Sequence, residues 1–294
     1  MSDVKTATTA PATTLSRHVE NWAPGPIVES DAMSPAQANR LAATLDLDET
    51  YSTGTELPVP WHWIYFSEWP ATAELGADGH PADGHFLPPI PDRRRMFAGA
   101  TMTVHAPLRL GVPTQKKQSL AGVVEKQGRT GDMLFVTVRS EYLQDDALTV
   151  VEDQNLVYRS DSGASRPFEH TAEDLAPSSA PWSMTPTPTA PLLFRYSALT
   201  SNAHRIHYDE PYVTGIEGYP GLVVHGPLLA TYMADLARTR SGESLTSLQF
   251  RLQRPLFLGD AFRVEGTPSD DGTVALQVVS GVDTVHASGT ATLA

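Results

Sequence analysis

A short internal repeat is the sequence feature that most constrains how this chain folds. Residues 107–111 read Pro-Leu-Arg-Leu-Gly, and residues 255–259 read Pro-Leu-Phe-Leu-Gly, 148 positions later. The stretch before each copy carries apolar residues at the same alternate positions, as Met102 and Phe250 do. A duplication explains the agreement in offset, preceding stretch and following hairpins better than chance does. The sequence therefore predicts two similar α+β units in one chain.

Each unit contains short runs of alternating apolar and polar residues bounded by turn residues, which is the pattern of β-strands. In the first unit these runs are residues 102–104, 120–124, 133–138 and 148–158. In the second unit they are residues 247–252, 261–266, 274–279 and 284–293. Because the connections are short, we expect the strands to pair in antiparallel sheets.

Two stretches carry the signals of a helix start. Ser34 can cap a helix whose first residue is Pro35, and we expect this helix to end near Asp48. Residues 227–238 predict a second helix, with a proline in its first turn and one wide apolar face that we expect to be buried. Between the two, the aromatic block at residues 61–66 favours a place in the core or at a domain interface over a ligand-contacting wall.

Two segments lack the apolar residues that a packed core needs. Residues 1–30 are rich in Thr, Ala and Pro and are predicted to form a flexible tail. Residues 161–191 are rich in Ser, Pro, Thr and Ala and are predicted to form a linker. The predicted organisation is therefore an N-terminal unit at residues 31–160 and a C-terminal unit at residues 192–294.

Composition excludes several kinds of site. The 294 residues include no cysteine, which rules out disulfides, thiolate nucleophiles and cysteine-bound metal clusters. The formal net charge of −13 argues against binding to nucleic acid or to anionic membranes, since both attract a basic surface. No apolar run approaches the roughly 18 residues of a membrane span. We therefore predict a cytoplasmic protein with no nucleic-acid or membrane partner.

Side chains able to do chemistry are concentrated in residues 200–209, Thr-Ser-Asn-Ala-His-Arg-Ile-His-Tyr-Asp, and in the Val-His-Gly-Pro run before the second helix. The residue pattern alone is as consistent with a hydrogen-bonded polar cluster at a domain interface as with an active site. A metal site formed by His204, His207 and Asp209 is a further hypothesis, which we reject because no other ligand stands out. We expect no metal and no cofactor.

Three motifs follow one another at spacings typical of a known family. Residues 202–207 read Asn-Ala-His-Arg-Ile-His, residues 224–226 read Val-His-Gly, and residues 255–260 read Pro-Leu-Phe-Leu-Gly-Asp. They resemble the Asp-x-Asn-Pro-x-His, Val-His-Gly and Pro-x-x-x-Gly-Asp motifs of MaoC-like (R)-specific enoyl-CoA hydratases. Residues 84–89 and 94–99 extend the resemblance to the subgroup of mesaconyl-C4-CoA hydratases, itaconyl-CoA hydratases and mitochondrial 3-hydroxyacyl thioester dehydratases.

This resemblance implies an α+β double hotdog, in which two curved antiparallel sheets each wrap a helix and the N-terminal unit lacks the catalytic motif. It implies reversible hydration of an α,β-unsaturated acyl-CoA, including C4 or C5 dicarboxylyl thioesters such as mesaconyl-CoA or itaconyl-CoA. A 3-hydroxyacyl-ACP dehydratase and a non-catalytic acyl-thioester-binding hotdog protein are the alternatives. A homodimer is also common among such folds.

The resemblance also assigns roles to residues. His207 is expected to activate water or remove the α-proton, and Gly226 to stabilise the enolate through its backbone N–H. Asn202 stands where the family has a carboxylate, so it can orient water but cannot exchange a proton. His204 and Asp209 are the two candidates for the missing acid–base role.

The same resemblance suggests contacts with the substrate. These expected substrate-binding residues are His225, Tyr208, Arg94, Arg95 and His85. By residue type alone, we expect His225 to pack and form hydrogen bonds within the protein. We expect His85 and the two arginines to lie on the surface.

Overall fold

Ten strands form one antiparallel sheet in the computed structural model, which describes residues 15–91, 93–128, 131–160, 168–171 and 174–294. The strand order is β1-β3-β4-β5-β2-β7-β10-β9-β8-β6. The strands are β1 Ile27–Asp31, β2 Arg93–Val104, β3 Thr114–Gly128, β4 Gly131–Gln144, β5 Ala147–Ser160, β6 Trp182–Met184, β7 Leu245–Leu252, β8 Phe262–Pro268, β9 Thr273–Ser280 and β10 Thr284–Leu293. Each predicted strand run is therefore present, most of them longer than predicted.

The sheet consists of two five-stranded halves joined by pairing of β2 with β7, which we call the central pairing. The repeat occupies the same place in each half. The Leu57 N–H donates to the Leu108 carbonyl at 2.7 Å, and the Val224 N–H donates to the Leu256 carbonyl at 2.8 Å. The two copies thus hold equivalent chain segments against their respective sheets, as the predicted duplication requires.

The described residues include four α-helices, which are α1 Pro35–Thr44, α2 Ala190–Leu199, α3 Glu210–Gly215 and α4 Gly226–Ser241. The C-terminal half wraps α4, which packs against β7, β8, β9 and β10. Every residue of α4 from 228 to 237 is buried, so the predicted apolar face extends around the helix. Gly242 ends α4 in the left-handed conformation with φ 75°, which glycine adopts without a steric penalty. No helix among the described residues is long and apolar enough to cross a membrane.

Among the described residues of the N-terminal half, no long helix occupies the place of α4. A single 3-10 turn, Trp61–Ile64, lies there instead, and prolines at 58, 60 and 70 disfavour a longer helix. Trp61, Tyr65 and Phe66 are buried and Trp63 is half-buried, and Phe66 packs on Tyr142 of β4 at 5.6 Å between ring centroids. The short helix α1 packs against α2 and against this turn.

The prediction of flexible segments is wrong where the structure describes them. Leu15 is buried, and its N–H donates to Glu125 Oε1 at 2.7 Å, while β1 pairs with β3. Within the predicted linker, β6 extends the opposite edge of the sheet by pairing with β8. Composition cannot reveal the hydrogen-bonding partners that an existing sheet edge supplies. Residues 1–14, 161–167 and 172–173 of these segments lie outside the described residues.

Gly99 of β2 lies against the backbone of β7 in the central pairing, and this contact generates a prediction about stability. A Cβ atom at Gly99 would lie 2.1 Å from the Phe250 carbonyl oxygen, whereas a Cβ at Gly122 of β3 would meet nothing within 4 Å. We expect Gly99→Ala to lower the free energy of unfolding by about 1–3 kcal/mol, because overpacking forces backbone shifts. Urea denaturation measures the change, with Gly122→Ala as the matched control. Equal midpoints for the two variants would contradict the described closeness of β2 and β7.

Candidate active site

One cavity of about 1110 Å³ is lined by residues of both halves. Asn202, His204, His207, Tyr208 and Gly226 form part of its wall in the C-terminal half. The N-terminal half contributes inward-facing residues of β2 to β5 and part of the aromatic block. The structure therefore brings together most of the predicted catalytic residues at a site that neither half forms alone.

His207 ends a 3-10 turn, Arg205–His207, and is the buried imidazole on this wall. Its Nδ1 donates to the Val223 carbonyl at 2.7 Å, which assigns the lone pair to Nε2. Burial lowers the pKa of His207 to about 4, below the near-neutral titration expected from residue type. At neutral pH the ring is therefore an uncharged group that can accept a proton.

His225 is the N-cap residue of α4 and is fully buried behind His207. The two rings stack with centroids 3.7 Å apart, and His225 Nε2 is 2.8 Å from Ser197 Oγ. Burial holds the pKa of His225 well below its usual value. The expected substrate contact of His225 is therefore corrected: this ring is not part of the cavity wall and supports the plane of His207.

Gly226 is the first residue of α4, and it lines the cavity at the positive end of the helix dipole. No side chain caps this end of the helix, so unsatisfied backbone N–H groups are available to an anion. A Cβ atom at this position would lie 2.2 Å from Leu252 Cδ1. The helix start and the strand β7 thus approach closely at the site.

Asn202 and His204 lie on the same wall, joined by a hydrogen bond of 3.1 Å from the His204 N–H to Asn202 Oδ1. This contact leaves the Nδ2 donors of Asn202 to orient a ligand or water. Burial lowers the pKa of His204 to about 2, and the nearby rings of His80 and His207 add to the effect. His204 is therefore uncharged over the working pH range and is a poor proton donor.

Asp209 does not belong to the cavity wall. Its carboxylate accepts from the Tyr212 N–H at 3.1 Å as the N-cap of α3, and it pairs with the Arg205 guanidinium at 2.7 Å. The hydrogen bond from Arg205 lowers the pKa of Asp209. The interpretation of Asp209 as a catalytic candidate is therefore corrected, because both oxygens serve local structure.

The structure separates the remaining predicted substrate contacts into two groups. Arg95 and Tyr208 line the cavity, and the Tyr208 hydroxyl donates to the Ala203 carbonyl at 2.8 Å. Arg94 and His85 are exposed and outside the cavity wall, and His85 Nε2 is 2.6 Å from the Gly25 carbonyl oxygen. The expected contact of His85 is therefore corrected. The charge of Arg94 is close enough to influence Tyr219, a residue of the wall, so its expected contact stays a prediction.

His80 and Asp78 belong to the site region but were missed by sequence reasoning. They come from a glycine-rich loop of the N-terminal half, and only the presence of histidines in that loop was a signal. His80 Nδ1 is 2.9 Å from Asp78 Oδ2, and the His80 ring lies 4.0 Å from the ring of His204. His80 is on the cavity wall.

Asp78, His80 and His204 are grouped closely enough to be considered as metal ligands. Ligand atoms of Asp78, His80 and His204 lie within 4.8 Å of one another, the one such group among the described residues that could hold an ion. The hydrogen bond between Asp78 and His80 already accounts for this arrangement. The grouping of His204, His207 and Asp209 does not form, because Asp209 turns away. The expectation of no metal and no cofactor stays a prediction.

A buried carboxylate holds the opposite wall. Glu152 of β5 accepts hydrogen bonds at 3.0 Å from His62 Nε2 and at 2.8 Å from Trp63 Nε1. Tyr142 and Gln154 donate to the same carboxylate at 3.2 and 2.9 Å. The aromatic block is therefore both core, as predicted, and a fixed part of the cavity wall.

The chain matches known proteins over most of its length. Residues 60–258 match the family model described as hydroxyacyl-thioester dehydratase type 2. The chain is 44% identical over 242 residues to a mesaconyl-C(4)-CoA hydratase of Chloroflexus aurantiacus, covering 82% of this chain and 86% of that protein. It is 28% identical to the mitochondrial hydroxyacyl-thioester dehydratase type 2 of Schizosaccharomyces pombe, covering 81% and 89%. The predicted family resemblance is confirmed.

Solved structures confirm the predicted double-hotdog fold. Among the described residues only the C-terminal half wraps a long helix, so the expectation of one in each half is wrong. A MaoC-like dehydratase from Phytophthora capsici superposes with a TM-score of 0.64 at 13% identity, covering 95% of this chain and 98% of that one. HtdX of Mycobacterium tuberculosis superposes with a TM-score of 0.61 at 15% identity, covering 91% and 98%. Together with the family match, these findings show that the chain belongs to the hydroxyacyl-thioester dehydratase type 2 family of hydro-lyases.

Proposed function

We propose that this protein reversibly hydrates a branched C5-dicarboxylyl-CoA thioester of the mesaconyl-C4-CoA type. The observation that carries this proposal is the presence, on one cavity wall, of an uncharged buried imidazole at His207 and an uncapped helix N-terminus at Gly226. Hydration of an enoyl thioester needs both, since water must lose a proton while charge develops on the thioester oxygen. The relative that is 44% identical is a mesaconyl-C(4)-CoA hydratase.

The geometry supports a specific first step. His207 Nε2 takes a proton from water as the water oxygen bonds to the β-carbon of the substrate. The electron pair of the double bond moves toward the thioester carbonyl, and the Gly226 N–H stabilises the resulting enolate. Asn202 holds the attacking water through its Nδ2 donors. In dehydration the same groups act in reverse.

Arg95 is our candidate for recognition of the free carboxylate. In a mesaconyl-C4 thioester this carboxylate is attached to the β-carbon, so the cation that binds it must lie near the groups that activate water. Arg95 lines the same cavity as His204. Burial is the main cause of the low pKa of His204, and the charge of Arg95 is close enough to contribute. Guanidinium groups bind carboxylates in two-point contacts.

The alternatives from the sequence differ in what they require. A non-catalytic acyl-thioester-binding protein needs the cavity but does not need a base at His207. A carrier-protein-linked substrate presents the same pantetheine arm as a CoA thioester and uses the same catalytic wall. The cytoplasmic setting and the homodimer remain predictions.

Replacement of His207 tests the catalytic assignment. We expect His207→Ala to lower kcat by about 100-fold or more on both crotonyl-CoA and mesaconyl-C4-CoA, because general-base catalysis typically contributes that much. Loss of the enoyl-thioester absorbance measures the rate, with His85→Ala as the control histidine outside the cavity. Unchanged rates in His207→Ala, or no activity in the unmodified protein, would favour the binding-only alternative.

The low pKa of His207 predicts the acid limb of the pH profile. The catalytic form is the unprotonated ring, so kcat/KM should be retained as pH falls below about 6.5, the ordinary value for histidine. It should decline only as pH falls through about 4, where His207 becomes protonated. Initial rates on crotonyl-CoA, with circular dichroism to confirm folding at each pH, check this expectation. A decline centred near the ordinary value would contradict the described burial.

Replacement of Arg95 tests the acyl-group assignment. Removal of a charge-assisted hydrogen bond costs about 1.5–3 kcal/mol, which corresponds to roughly 10–150-fold. We expect Arg95→Met to lower kcat/KM on mesaconyl-C4-CoA by that factor and to leave crotonyl-CoA within about twofold. Arg139→Met, on β4 and outside the cavity wall, should change the rate on neither substrate. An equal loss of kcat/KM on both substrates would show that Arg95 does not bind the free carboxylate.

A further inference from the structure

Hydration requires a second proton transfer that the residues assigned above do not supply. Water loses one proton to His207, but the α-carbon must gain a proton before the product is complete. Asn202 cannot provide it, because a carboxamide does not titrate. Asp209 is committed to Arg205 and to the N-terminus of α3. His204 is already uncharged at neutral pH, and His225 lies behind the wall.

His80 has the geometry that this step requires. Its ring lies on the cavity wall and packs on His204, which in turn meets His207 edge to face at 5.7 Å. The hydrogen bond between His80 Nδ1 and Asp78 Oδ2 fixes the tautomer and the orientation of the ring. The remaining nitrogen, Nε2, is then the atom available to exchange a proton.

The loop that carries His80 is held firmly against the catalytic stretch of the other half. The Arg205 N–H donates to the Asp78 carbonyl at 2.8 Å, and Arg205 Nη1 donates to the Ala77 carbonyl at 2.9 Å. Gly79 has φ 90°, and a Cβ there would lie 1.9 Å from the Ala203 carbonyl oxygen. Only glycine permits this approach, so the backbone contact sets the position of His80.

We propose that His80 is the second acid–base residue of the reaction, positioned by Asp78 and supplied to the C-terminal site by the N-terminal half. In hydration, the protonated His80 gives its Nε2 proton to the α-carbon as the enolate collapses and the new C–H bond forms. His207 meanwhile keeps the proton taken from water. Solvent at the cavity mouth then removes the proton from His207 and returns one to His80, so the net change is addition of one water. This inference rests on the hydration chemistry proposed above and not on the identity of the acyl group.

The charged and titratable groups around His80 come from three elements. Asp78 belongs to its own loop, His204 and His207 belong to the stretch before α3, and Arg95 belongs to β2. The carboxylate of Asp78 accepts the hydrogen bond from His80 Nδ1, and the pKa of Asp78 is lowered to about 2, so Asp78 is charged throughout the working range. Burial by itself would raise the pKa of Asp78. The hydrogen bond from His80 is the largest of the contacts that lower it.

The direct test is His80→Ala, with His105→Ala as an exposed control histidine outside the cavity. We expect His80→Ala to lower kcat by about 100-fold or more on crotonyl-CoA as well as on mesaconyl-C4-CoA. Added imidazole should raise the rate of His80→Ala at least about tenfold, because it can enter the cavity and exchange the proton. Asp78→Asn should lower kcat with little change in KM. Rates within about twofold of the unmodified protein, or no rescue by imidazole, would overturn the proposal.

A second pair of variants tests whether the position of the His80 ring matters, because both variants keep the histidine itself. Gly79→Ala keeps His80 but displaces the loop from Ala203, so we expect a loss of kcat comparable with that of His80→Ala. Gly54→Ala is the matched control, since Gly54 also has a positive φ of 84° but no atom within 4 Å of the added methyl group. Equal activity of the two glycine variants would count against the proposal.

Metal content and the activity of His207→Ala distinguish a failure of the His80 role from a failure of the hydration mechanism. If EDTA removes a stoichiometric metal from the purified protein and abolishes its activity, then Asp78, His80 and His204 bind an ion and the acid–base role is wrong. If His207→Ala retains full activity, the proposed mechanism fails whatever His80 does. If His207→Ala is inactive and His80→Ala is fully active, only the role of His80 fails.

Discussion

The antiparallel pairing of β2 with β7 is the interaction on which the rest of the structure depends. It joins two five-stranded sheets into one and leaves their inner faces on a common cavity. Because of this arrangement, the loop at residues 76–81 lies against residues 203–205 of the other half. The proposed base, the helix start and the proposed proton donor therefore meet through contacts between distant parts of the chain.

Features set by local sequence were predictable. The helix α4 was predicted at residues 227–238 and spans Gly226–Ser241, since proline at its start and the apolar residues along it are local signals. The motif at residues 202–207 likewise indicated one wall of the candidate active site. The position of Arg205 four residues before Asp209 was a further local signal, because residues at that spacing can form an ion pair. It would have removed Asp209 from the catalytic candidates.

Features set by distant contacts were not predictable from the residues alone. The strands β1 and β6 form because sheet edges offer hydrogen bonds to segments of low hydrophobicity. His80 reaches the site because Gly79 allows the backbone to touch Ala203, which lies more than a hundred residues later. The depressed pKa of His207 also depends on burial that residue type does not report.

The short aromatic turn at Trp61–Ile64 makes the inner face of the first half different from that of the second. A helix like α4 would fill the inner face of the first sheet, whereas a single turn leaves room beside β3, β4 and β5, where the cavity extends. Glu152 fixes the rings of this turn, so the space has a defined shape. In the proposed mechanism, the inner face of β3, β4 and β5 shapes the space for the acyl group, whereas water addition depends on the second half together with the loop that carries His80. Changes on that inner face can therefore alter substrate selectivity without altering either proton-transfer group.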